Sequence, residues 1–488
     1  TVLIDYLITT AKENKWKFII ADASKEQILA KTKNSTFAEA VALDITNDEK
    51  RSKLIQKAHV VISMMPPALH FLVAKDCVEY RKHLLTASYI DNKIRSLLDE
   101  IKQRKLLFLC EMGLDPGIDH MSAMKIIHEI KEAGGHITSF KSHCGGLVAP
   151  ESDNNPWHYK ISWNPRNVVM AGKAGAVYRD NGVQKTSTYA DLFSEAHQVD
   201  IPELGPLAWY ANRDSLSYIP LYGLESSETF IRTTLRHPEF MYGWKNIIDL
   251  KLTDETVQYD TDGKSLSAVL KEHMEKNGFG EWLTQKLAER FAETRGMMEN
   301  LIKLAEAENK ATEAGEKMPD AFMSADDKGN IEEIAINDVK ARAAAFVAGK
   351  MHETNLTLKQ LFFLGLDDQD TIVNKGKCSA ADILQFALEK KLSLRPYDKD
   401  MIVMLHELEF EQDGKTEKIS SSLVVKGENN LRTAMAKTVG LPLGIAAKMI
   451  LNGQIKMTGL HIPTSKDIYE PVLKELALNG VKFVEQHS

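Results

Sequence analysis

The stretch His59-Val-Val-Ile-Ser-Met-Met-Pro-Pro67 sets a run of β-branched residues directly before two prolines. The run predicts a short buried strand over 59–63, and the prolines end it because proline cannot donate a ladder hydrogen bond. Patterns typical of amphipathic helices flank this strand, over 48–56 and 69–80. The strand therefore belongs to an alternation of helices and strands.

This alternation continues on both sides of the strand. Further strands are predicted over 17–21, 40–43, 84–88 and 106–110, with helical patterns such as 25–32 and 91–102 between them. Strands joined by helical crossovers form a parallel sheet, which binds ligands at the carboxyl ends of its strands. The sequence thus predicts an α/β protein with a Rossmann-type doubly wound parallel sheet in its N-terminal part.

A doubly wound sheet that binds a dinucleotide normally opens with a strand and a Gly-x-Gly-x-x-Gly turn. Neither is present here, and Thr1 already precedes residues at helical spacing, Val2, Leu3, Tyr6 and Leu7. We therefore expect the first strand and the glycine loop to be absent from this chain, with about ten to fifteen residues preceding it.

The carboxylate Asp22 ends the first predicted strand, with Ala23 and Ser24 after it. An acid at this place accepts hydrogen bonds from the adenosine ribose of a dinucleotide and repels a 2′-phosphate. It favours NAD over NADP as the cofactor, although Asp22 is also an ordinary residue for a turn. Asp44 and Ile45 follow the next strand, where we expect the adenine to lie.

Other residues are predicted to border the cofactor because they follow strands of the same sheet. They are Ser63, Met64, Met65, Ser88, Leu114 and Asp115. For Ser63 and the two methionines, plain loop and core packing are the alternative.

Charge and cysteine content argue against several classes of function. The chain has 61 Lys and Arg against 68 Asp and Glu, a net charge of −7, which argues against nucleic acid as a partner. Its 4 cysteines are scattered, so neither a disulfide framework nor a metal site is expected, and a reducing cytoplasm fits best. No apolar stretch approaches the roughly 20 residues that span a bilayer, so no membrane partner is expected.

A second stretch, Met112-Gly-Leu-Asp-Pro-Gly-Ile-Asp-His120, carries candidate chemistry. Asp115 ends a predicted strand and precedes a Pro-Gly turn, so its side chain should point into the crevice at the edge of the sheet. Asp119 lies near the N-terminus of a helix predicted over 121–133, where capping explains it without catalysis.

Cys144 lies in a His-Cys-Gly-Gly segment that follows a strand predicted over 138–142. The two consecutive glycines allow a ligand or another backbone to approach closely. Cys144 is either a thiol of the site or a small buried hydrophobe, because a reactive thiol needs partial exposure and a lowered pKa.

Several further segments extend this pattern along the chain. In order they are Thr86-Ala-Ser-Tyr-Ile90, Gly113-Leu-Asp-Pro-Gly-Ile-Asp-His120, His143-Cys-Gly-Gly-Leu147, Tyr159-Lys-Ile-Ser-Trp163, Asn212-Arg-Asp-Ser215, Thr234-Leu-Arg236, Lys399-Asp-Met-Ile-Val-Met404 and Met435-Ala-Lys-Thr-Val-Gly-Leu-Pro442. In order and spacing the segments resemble the L-glutamate-forming saccharopine dehydrogenase family, including the dehydrogenase half of the bifunctional aminoadipate-semialdehyde synthase. The resemblance covers nearly the whole chain and is weakest over 262–395.

The resemblance implies a reversible reaction of lysine metabolism, in which saccharopine, NAD and water give L-glutamate, 2-aminoadipate 6-semialdehyde and NADH. An imine forms and is hydrolysed, so the site must move protons at several steps. The resemblance also implies that Asp115, Cys144 and Tyr89 surround the reacting centre, with Asp115 and Cys144 as candidates to relay or orient protons.

The resemblance further implies which residues bind the substrate, a secondary amine with three carboxylates. Arg213 and Arg236 stand where the family binds acid groups, and the guanidinium fork suits a carboxylate. The alternative is that each arginine is a solvated surface residue or pairs with a neighbouring acid. Ser88, Lys160 and Ser162 are further predicted contacts, although the stem of Lys160 could equally pack on an aromatic ring.

The chain is predicted to form three domains. The dinucleotide-binding domain comprises 1–121 and about 428–458, the α/β substrate domain comprises 122–262 with about 396–427 and 459–488, and a helical domain comprises 263–395. Alternating residues over 401–425 predict a hairpin across Asp413-Gly414 that rejoins the substrate domain.

Two other functions remain as alternatives. A reductive condensation of polyamine precursors, as in carboxynorspermidine dehydrogenase, involves fewer acid groups, so one of Arg213 and Arg236 should then be replaced. A non-catalytic NAD-binding scaffold would need neither arginine nor Asp115 and Cys144. For the saccharopine reaction we expect a small-molecule substrate and a homodimer.

Overall fold

The computed structural model describes residues 1–194, 197–282, 284–286, 288–289, 292, 295–296, 298–299, 302–303, 306, 321–325 and 331–487. The chain divides into two compact units. The first comprises Thr1–Asn154, His158–Met241 and Leu392–Ser488, and the second comprises Asn155–Trp157 and Tyr242–Lys391. The boundaries predicted near 121, 262 and 395 stay predictions, and parts of the predicted helical domain lie outside the described residues.

The N-terminal part of the first unit alternates helices and strands, as the sequence predicts. Its elements are α1 (Val2–Asn14), β1 (Phe18–Asp22), α2 (Lys25–Thr32), β2 (Ala38–Ala42), α3 (Asp48–Lys57), β3 (Val60–Ser63), α4 (His70–Glu79), β4 (His83–Thr86), α5 (Asn92–Arg95), α6 (Leu98–Gln103) and β5 (Leu107–Leu109). Ser24 and Asn47 cap α2 and α3, since each side chain accepts a hydrogen bond from a backbone N–H of the first turn.

The remaining elements continue in chain order. They are α7 (Ile118–Glu132), β6 (His136–Val148), α8 (Pro165–Val169), β7 (Ala176–Asp180), β8 (Val183–Ser187), β9 (His197–Ile201), β10 (Gly205–Ala211), β11 (Arg213–Asp214), α9 (Ile219–Tyr222), β12 (Thr229–Arg236), α10 (Pro238–Asp249), β13 (Val257–Asp260), α11 (Leu266–Lys276), β14 (Ala321–Ala325), β15 (Ile331–Ala335), α12 (Ile336–Phe363), β16 (Lys377–Ser379), α13 (Ala380–Lys391), β17 (Asp400–Gln412), β18 (Lys415–Lys426), α14 (Ala434–Leu451), β19 (Gly459–His461), α15 (Lys466–Leu478) and β20 (Val484–His487). The second unit contains α11, α12 and α13 with the strand pairs β13–β16 and β14–β15.

The strands of the N-terminal part form two parallel sheets. One pairs β1 with β2, and the other has the order β19-β5-β4-β3. Because all strands in each sheet are parallel, Asp22 and Ser63 lie at carboxyl ends. The α/β fold class is confirmed, whereas a further strand and a glycine loop ahead of Thr1 stay a prediction.

Helix α14 returns from the C-terminal part of the chain to pack on α1. Its Gly440 and Gly444 face Leu3 and Tyr6, and a Cβ on Gly444 would lie 2.6 Å from the Tyr6 ring. This 18-residue helix is long and apolar enough to be a candidate membrane span, yet 61% of it is buried inside the protein. The helix therefore serves as a core element here.

The rest of the first unit is built around a ten-stranded sheet. Its main path runs β11-β7-β12-β6-β17-β18-β20, with β8 beside β7 and with β10 between β12 and β9. Strands β6 and β12 are parallel, and β17 pairs antiparallel with β6 on its other side. The hairpin of β17 and β18 turns at Asp413 and Gly414, both with positive φ, so the predicted hairpin is confirmed.

Candidate active site

A tight turn after β5 positions the side chain of Asp115. The Gly113 N–H donates to the Pro116 carbonyl at 2.9 Å, and Gly117 follows with φ 148°. A Cβ on Gly117 would lie 2.1 Å from the Gly113 carbonyl oxygen, so only glycine fits this position. The turn leaves the Asp115 side chain 16% exposed, beside the N-terminus of α7.

Two carboxylates share one guanidinium next to this turn. Arg232 Nη2, on β12, donates to Asp115 Oδ1 at 2.7 Å and to Asp119 Oδ2 at 2.8 Å. The other oxygen of Asp119 accepts from the Gly117 N–H at 2.5 Å. The predicted capping role thus accounts for only one oxygen of this carboxyl group, because the other oxygen accepts from Arg232.

The two acids differ in their affinity for a proton. Burial raises the pKa of Asp115 above its usual value and Asp119 adds to this, although Arg232 opposes it. For Asp119 burial also acts upward, but His120, Arg232 and the Gly117 N–H outweigh it and lower the pKa. Asp115 is therefore the carboxyl group better suited to take up and release a proton.

Tyr89 and Arg213 lie on one side of Asp115. The Tyr89 hydroxyl donates to Asp115 Oδ1 at 3.3 Å, and the Arg213 guanidinium carbon lies 5.4 Å from the centre of the Tyr89 ring. Arg213 is exposed and has a left-handed backbone, with φ 51°. Its side chain thus packs against Tyr89 and is accessible to solvent.

Cys144 lies on β6, opposite Thr234 of β12 and Met404 of β17. Burial raises the pKa of its thiol well above the usual value, and the nearby Asp115 and Asp119 raise it further. The thiol is therefore held protonated. Gly145 accommodates neighbouring protein, since a Cβ there would lie 2.7 Å from Leu235 Cβ.

Arg236 is buried and its Nε atom has no hydrogen-bond partner among the described residues. The guanidinium packs against the rings of Tyr159 and Phe240, at 5.3 and 5.4 Å, and Nη1 donates to the Leu235 carbonyl at 2.8 Å. An anionic partner stabilises a buried cation with unused donors, because it offsets the lost hydration. Of the two predicted arginines, Arg236 has the stronger physical reason to bind a carboxylate.

Lys160 and Ser162 already have partners within the protein. Lys160 Nζ pairs with Asp398 at 2.7 Å and is 5% exposed, and Ser162 hydrogen-bonds to Asp400. Asp400 in turn accepts from the first N–H groups of α14. Their predicted role in substrate binding stays a prediction.

The predicted cofactor residues lie at or after strand ends of the two parallel sheets. Asp22, Ala23 and Asp44 are exposed, and the Asp22 and Asp44 carboxylates each accept a backbone N–H two residues on, from Ser24 and Thr46. Each carboxylate keeps an accessible surface at the sheet edge. These residues fit a dinucleotide, because a ribose hydroxyl needs such an acceptor.

Two of the predicted cofactor residues, Ser63 at the end of β3 and Ser88 after β4, contact a buried histidine. His70 Nδ1 contacts Ser63 Oγ, and its Nε2 contacts Ser88 Oγ, both at 2.8 Å. Met64 is 55% exposed, so the packing alternative does not describe it. Ile45 and Met65 pack against the core of the sheet, and Leu114 is buried in the main core.

Sequence reasoning did not single out Arg232, His70 or the buried network behind them. Glu111 accepts from Tyr218 at 3.2 Å and contacts His120 at 2.9 Å. One signal for Arg232 was present, because side chains two and four residues apart on a strand share a face. Arg232 therefore shares the face of Thr234 and Arg236. Nothing local indicates His70 or Glu111.

The comparisons with known proteins agree with this architecture. Residues 5–109 match the family described as saccharopine dehydrogenase NADP binding domain, and residues 113–481 match saccharopine dehydrogenase C-terminal domain. The chain is 33% identical over 452 residues to saccharopine dehydrogenase (NADP(+), L-glutamate-forming) of Saccharomyces cerevisiae, covering 92% of the chain and 88% of that protein.

Two further matches extend the comparison. The chain is 32% identical over 459 residues to alpha-aminoadipic semialdehyde synthase of Arabidopsis thaliana, covering 92% of this chain but only 38% of that protein. Apo histidine-tagged saccharopine dehydrogenase (L-Glu forming) from Saccharomyces cerevisiae has a similar structure, with a TM-score of 0.78 and 29% identity over 100% of this chain and 97% of that one. The resemblance in the sequence motifs is confirmed, and this chain belongs to the saccharopine dehydrogenase family.

Proposed function

We propose that this protein catalyses the reversible oxidative cleavage of saccharopine to L-glutamate and 2-aminoadipate 6-semialdehyde in lysine metabolism. The buried, incompletely satisfied guanidinium of Arg236 is the observation that carries this proposal. It lies on the strand that also carries Arg232, which binds Asp115. The substrate has carboxylates and a secondary amine. Arg236 has donors available for a carboxylate, and Asp115 has a raised pKa that suits proton exchange with the amine.

The residues around Asp115 supply the proton chemistry in this proposal. Oxidation at the carbon next to nitrogen, followed by hydrolysis, requires a group that exchanges protons with the nitrogen and with the attacking water. Asp115 suits that role because burial raises its pKa above the usual value of a carboxyl group, and the Tyr89 hydroxyl at 3.3 Å orients it. Cys144 contributes a neutral, compact surface, since its thiol is held protonated.

The bound nicotinamide ring would accept the hydride from the substrate carbon. We propose NAD as this cofactor because Asp22 is the last residue of β1, where its carboxylate would repel a 2′-phosphate. The names of the fungal relatives specify NADP(+), so the cofactor is the point at which this chain is expected to differ from them.

A direct assay tests the reaction. Saccharopine with NAD should produce absorbance of the reduced cofactor, and kcat/KM with NAD should exceed that with NADP. Turnover of a carboxylated polyamine without turnover of saccharopine would favour the polyamine alternative. No turnover of either compound, with dinucleotide binding retained, would favour the scaffold alternative.

Two parts of the proposal concern the setting of the enzyme. We propose a cytoplasmic location, because the four free cysteines fit a reducing compartment. Separately, we propose that the chain forms a homodimer. Sedimentation of the purified chain would measure its mass, and a monomer at assay concentration would contradict the dimer.

A further inference from the structure

Arg232 is held rigidly beside Asp115 and Asp119, which we call the acid pair. Its guanidinium carbon lies 4.4 Å from the centre of the Tyr218 ring, and its backbone N–H donates to Ser215 Oγ at 3.1 Å. The side chain is 4% exposed, so no solvent screens its charge from Asp115 and Asp119. The guanidinium therefore stays in place, whichever charge its partners carry.

Tyr218 is itself fixed by a buried acid. Its hydroxyl donates to Glu111 Oε2 at 3.2 Å, and Glu111 Oε1 accepts from the Ile90 N–H at 3.2 Å. Glu111 has a left-handed backbone, with φ 56°, which is costly for a residue with a side chain. Such a conformation persists because its surroundings hold it, and here they also hold Tyr218 against Arg232.

The charges of this cluster do not balance. One guanidinium faces two carboxylates at 2.7 and 2.8 Å, so a proton on one carboxyl group reduces the repulsion between the acids. Asp119 has the lower affinity for that proton, because it also accepts a hydrogen bond from the Gly117 N–H. Asp115 faces the outside of the cluster, where it meets Tyr89.

We propose that Arg232 is a positioning residue that sets the proton affinity of Asp115, with Asp119 as its opposing partner. This inference rests on the proposed function, because it assigns Asp115 the proton exchange with the substrate. The groups that face Asp115 are Tyr89 from the loop after β4, Asp119 and His120 from α7, Cys144 from β6, Tyr222 from α9 and Arg232 from β12. Among these, Arg232 and Asp119 are the groups whose removal changes the local charge in opposite directions.

The pH profile of kcat/KM for saccharopine tests this assignment in the full chain, because it reports the pKa of the essential base in the free enzyme. Arg232→Met removes a positive charge and should move the acid limb to higher pH, by about 1 to 3 pH units. Asp119→Asn removes a negative charge and should move the same limb to lower pH. Arg232→Lys keeps the charge and should restore most of the parent profile.

Arg179 provides a matched control on the neighbouring strand β7. It is half-buried and donates to the carbonyls of Glu225 and Ser227, so it has the same chemistry away from the acid pair. Arg179→Met should leave the acid limb where it is in the parent protein. The proposal would be overturned if the acid limb moved in the same direction in Arg232→Met and Asp119→Asn, or if it moved in neither variant. If Arg232→Met does not fold, the sign found for Asp119→Asn decides.

A second measurement separates this proposal from the proposed function. Melting temperatures of chains with and without Asp115→Asn, measured against pH, report the titration of Asp115 without any substrate. The two curves should diverge between the unfolded-state and the folded-state pKa of Asp115, and in the Arg232→Met background this divergence should continue to a higher pH than in the parent background. An inactive enzyme that shows this displacement contradicts the proposed function alone, whereas an active enzyme without it contradicts the role of Arg232.

Discussion

At the scale of single residues, the guanidinium of Arg236 combines burial with unused hydrogen-bond donors. Arg236→Met removes the charge and keeps an apolar stem against Tyr159 and Phe240. We expect the KM for saccharopine to rise about 10- to 150-fold, since a charge-assisted hydrogen bond contributes about 1.5 to 3 kcal/mol.

Steady-state kinetics with each ligand varied in turn check this expectation. The KM for NAD should stay within about twofold, because the proposed partner of Arg236 is the substrate. Arg236→Lys is the matched control and should give an intermediate KM. A similar rise in both KM values would mean that Arg236 does not bind the substrate acid.

Asp22 is the residue that should decide between the two dinucleotides. Asp22→Asn removes the repulsion of a 2′-phosphate, so the ratio of kcat/KM for NAD to that for NADP should fall about tenfold or more. The ratio is measured with saturating saccharopine. Glu39→Gln changes another exposed carboxylate, the second residue of β2, and should leave the ratio unaltered. An unchanged ratio in Asp22→Asn would show that this acid does not contact the ribose.

At the scale of elements, α14 depends on close contact with α1. Gly444→Ala would place a Cβ 2.6 Å from Tyr6 and 3.0 Å from Leu3, so the helices must separate. Such overpacking destabilises a protein by about 1 to 3 kcal/mol, and we expect a lower melting temperature.

Gly349 in α12 is the matched control for this substitution. It is exposed, and a Cβ there would meet nothing within 4 Å. Gly349→Ala should raise stability by about 0.5 to 1 kcal/mol, because alanine is the better residue inside a helix. Equal melting temperatures for Gly444→Ala and the parent would show that the two helices do not pack as closely as described.

Sequence patterns predicted the elements better than their pairings. The turn residues Asp413 and Gly414 predicted the hairpin of β17 and β18, because both adopt the left-handed backbone that such a turn requires. Strand β6 is longer than predicted, since the glycines after Cys144 continue it to Val148. A glycine pair has no intrinsic preference for a strand, so its extension depends on pairing with β17.

In the candidate active site, too, residues were predicted better than the contacts between them. Asp115 was identified because it follows a strand, which is local information. Arg232 meets Asp115 across 117 positions of sequence, through the parallel pairing of β12 with β6. No local pattern specifies that register, so the residues around Arg232 in the sequence do not indicate the ion pair.

At the scale of the whole molecule, buried neutral histidines link stability to pH. Burial lowers the pKa of His406 to about 4; Asp119 opposes this shift, and His143, Arg232 and His120 add to it. A histidine whose pKa is lower in the folded state stabilises the fold above its unfolded pKa of roughly 6.5 and loses that contribution as pH falls. For His406 the loss between pH 6.5 and 4 amounts to about 3 kcal/mol.

His406→Phe should remove this acid sensitivity. The ring lies between Phe140 and Phe483, its Nδ1 has no partner among the described residues, and Ser122 can still donate to the Ile118 carbonyl. Melting temperatures should be similar to the parent at pH 7.5 and higher than the parent at pH 5. The exposed His136, changed to Gln, is the control and should follow the parent curve. Parallel curves for His406→Phe and the parent would contradict the assignment.

The pairing of β19 with β5 joins residues 459–461 to residues 107–109. During synthesis on the ribosome, about 350 further residues must therefore be added after β5 before β19, its second neighbour in the sheet, has been synthesised. Until then one edge of an apolar parallel sheet is open to other strands, which is the usual starting point of aggregation. The nascent chain thus has a long interval in which a chaperone that covers this edge would improve the yield of native protein.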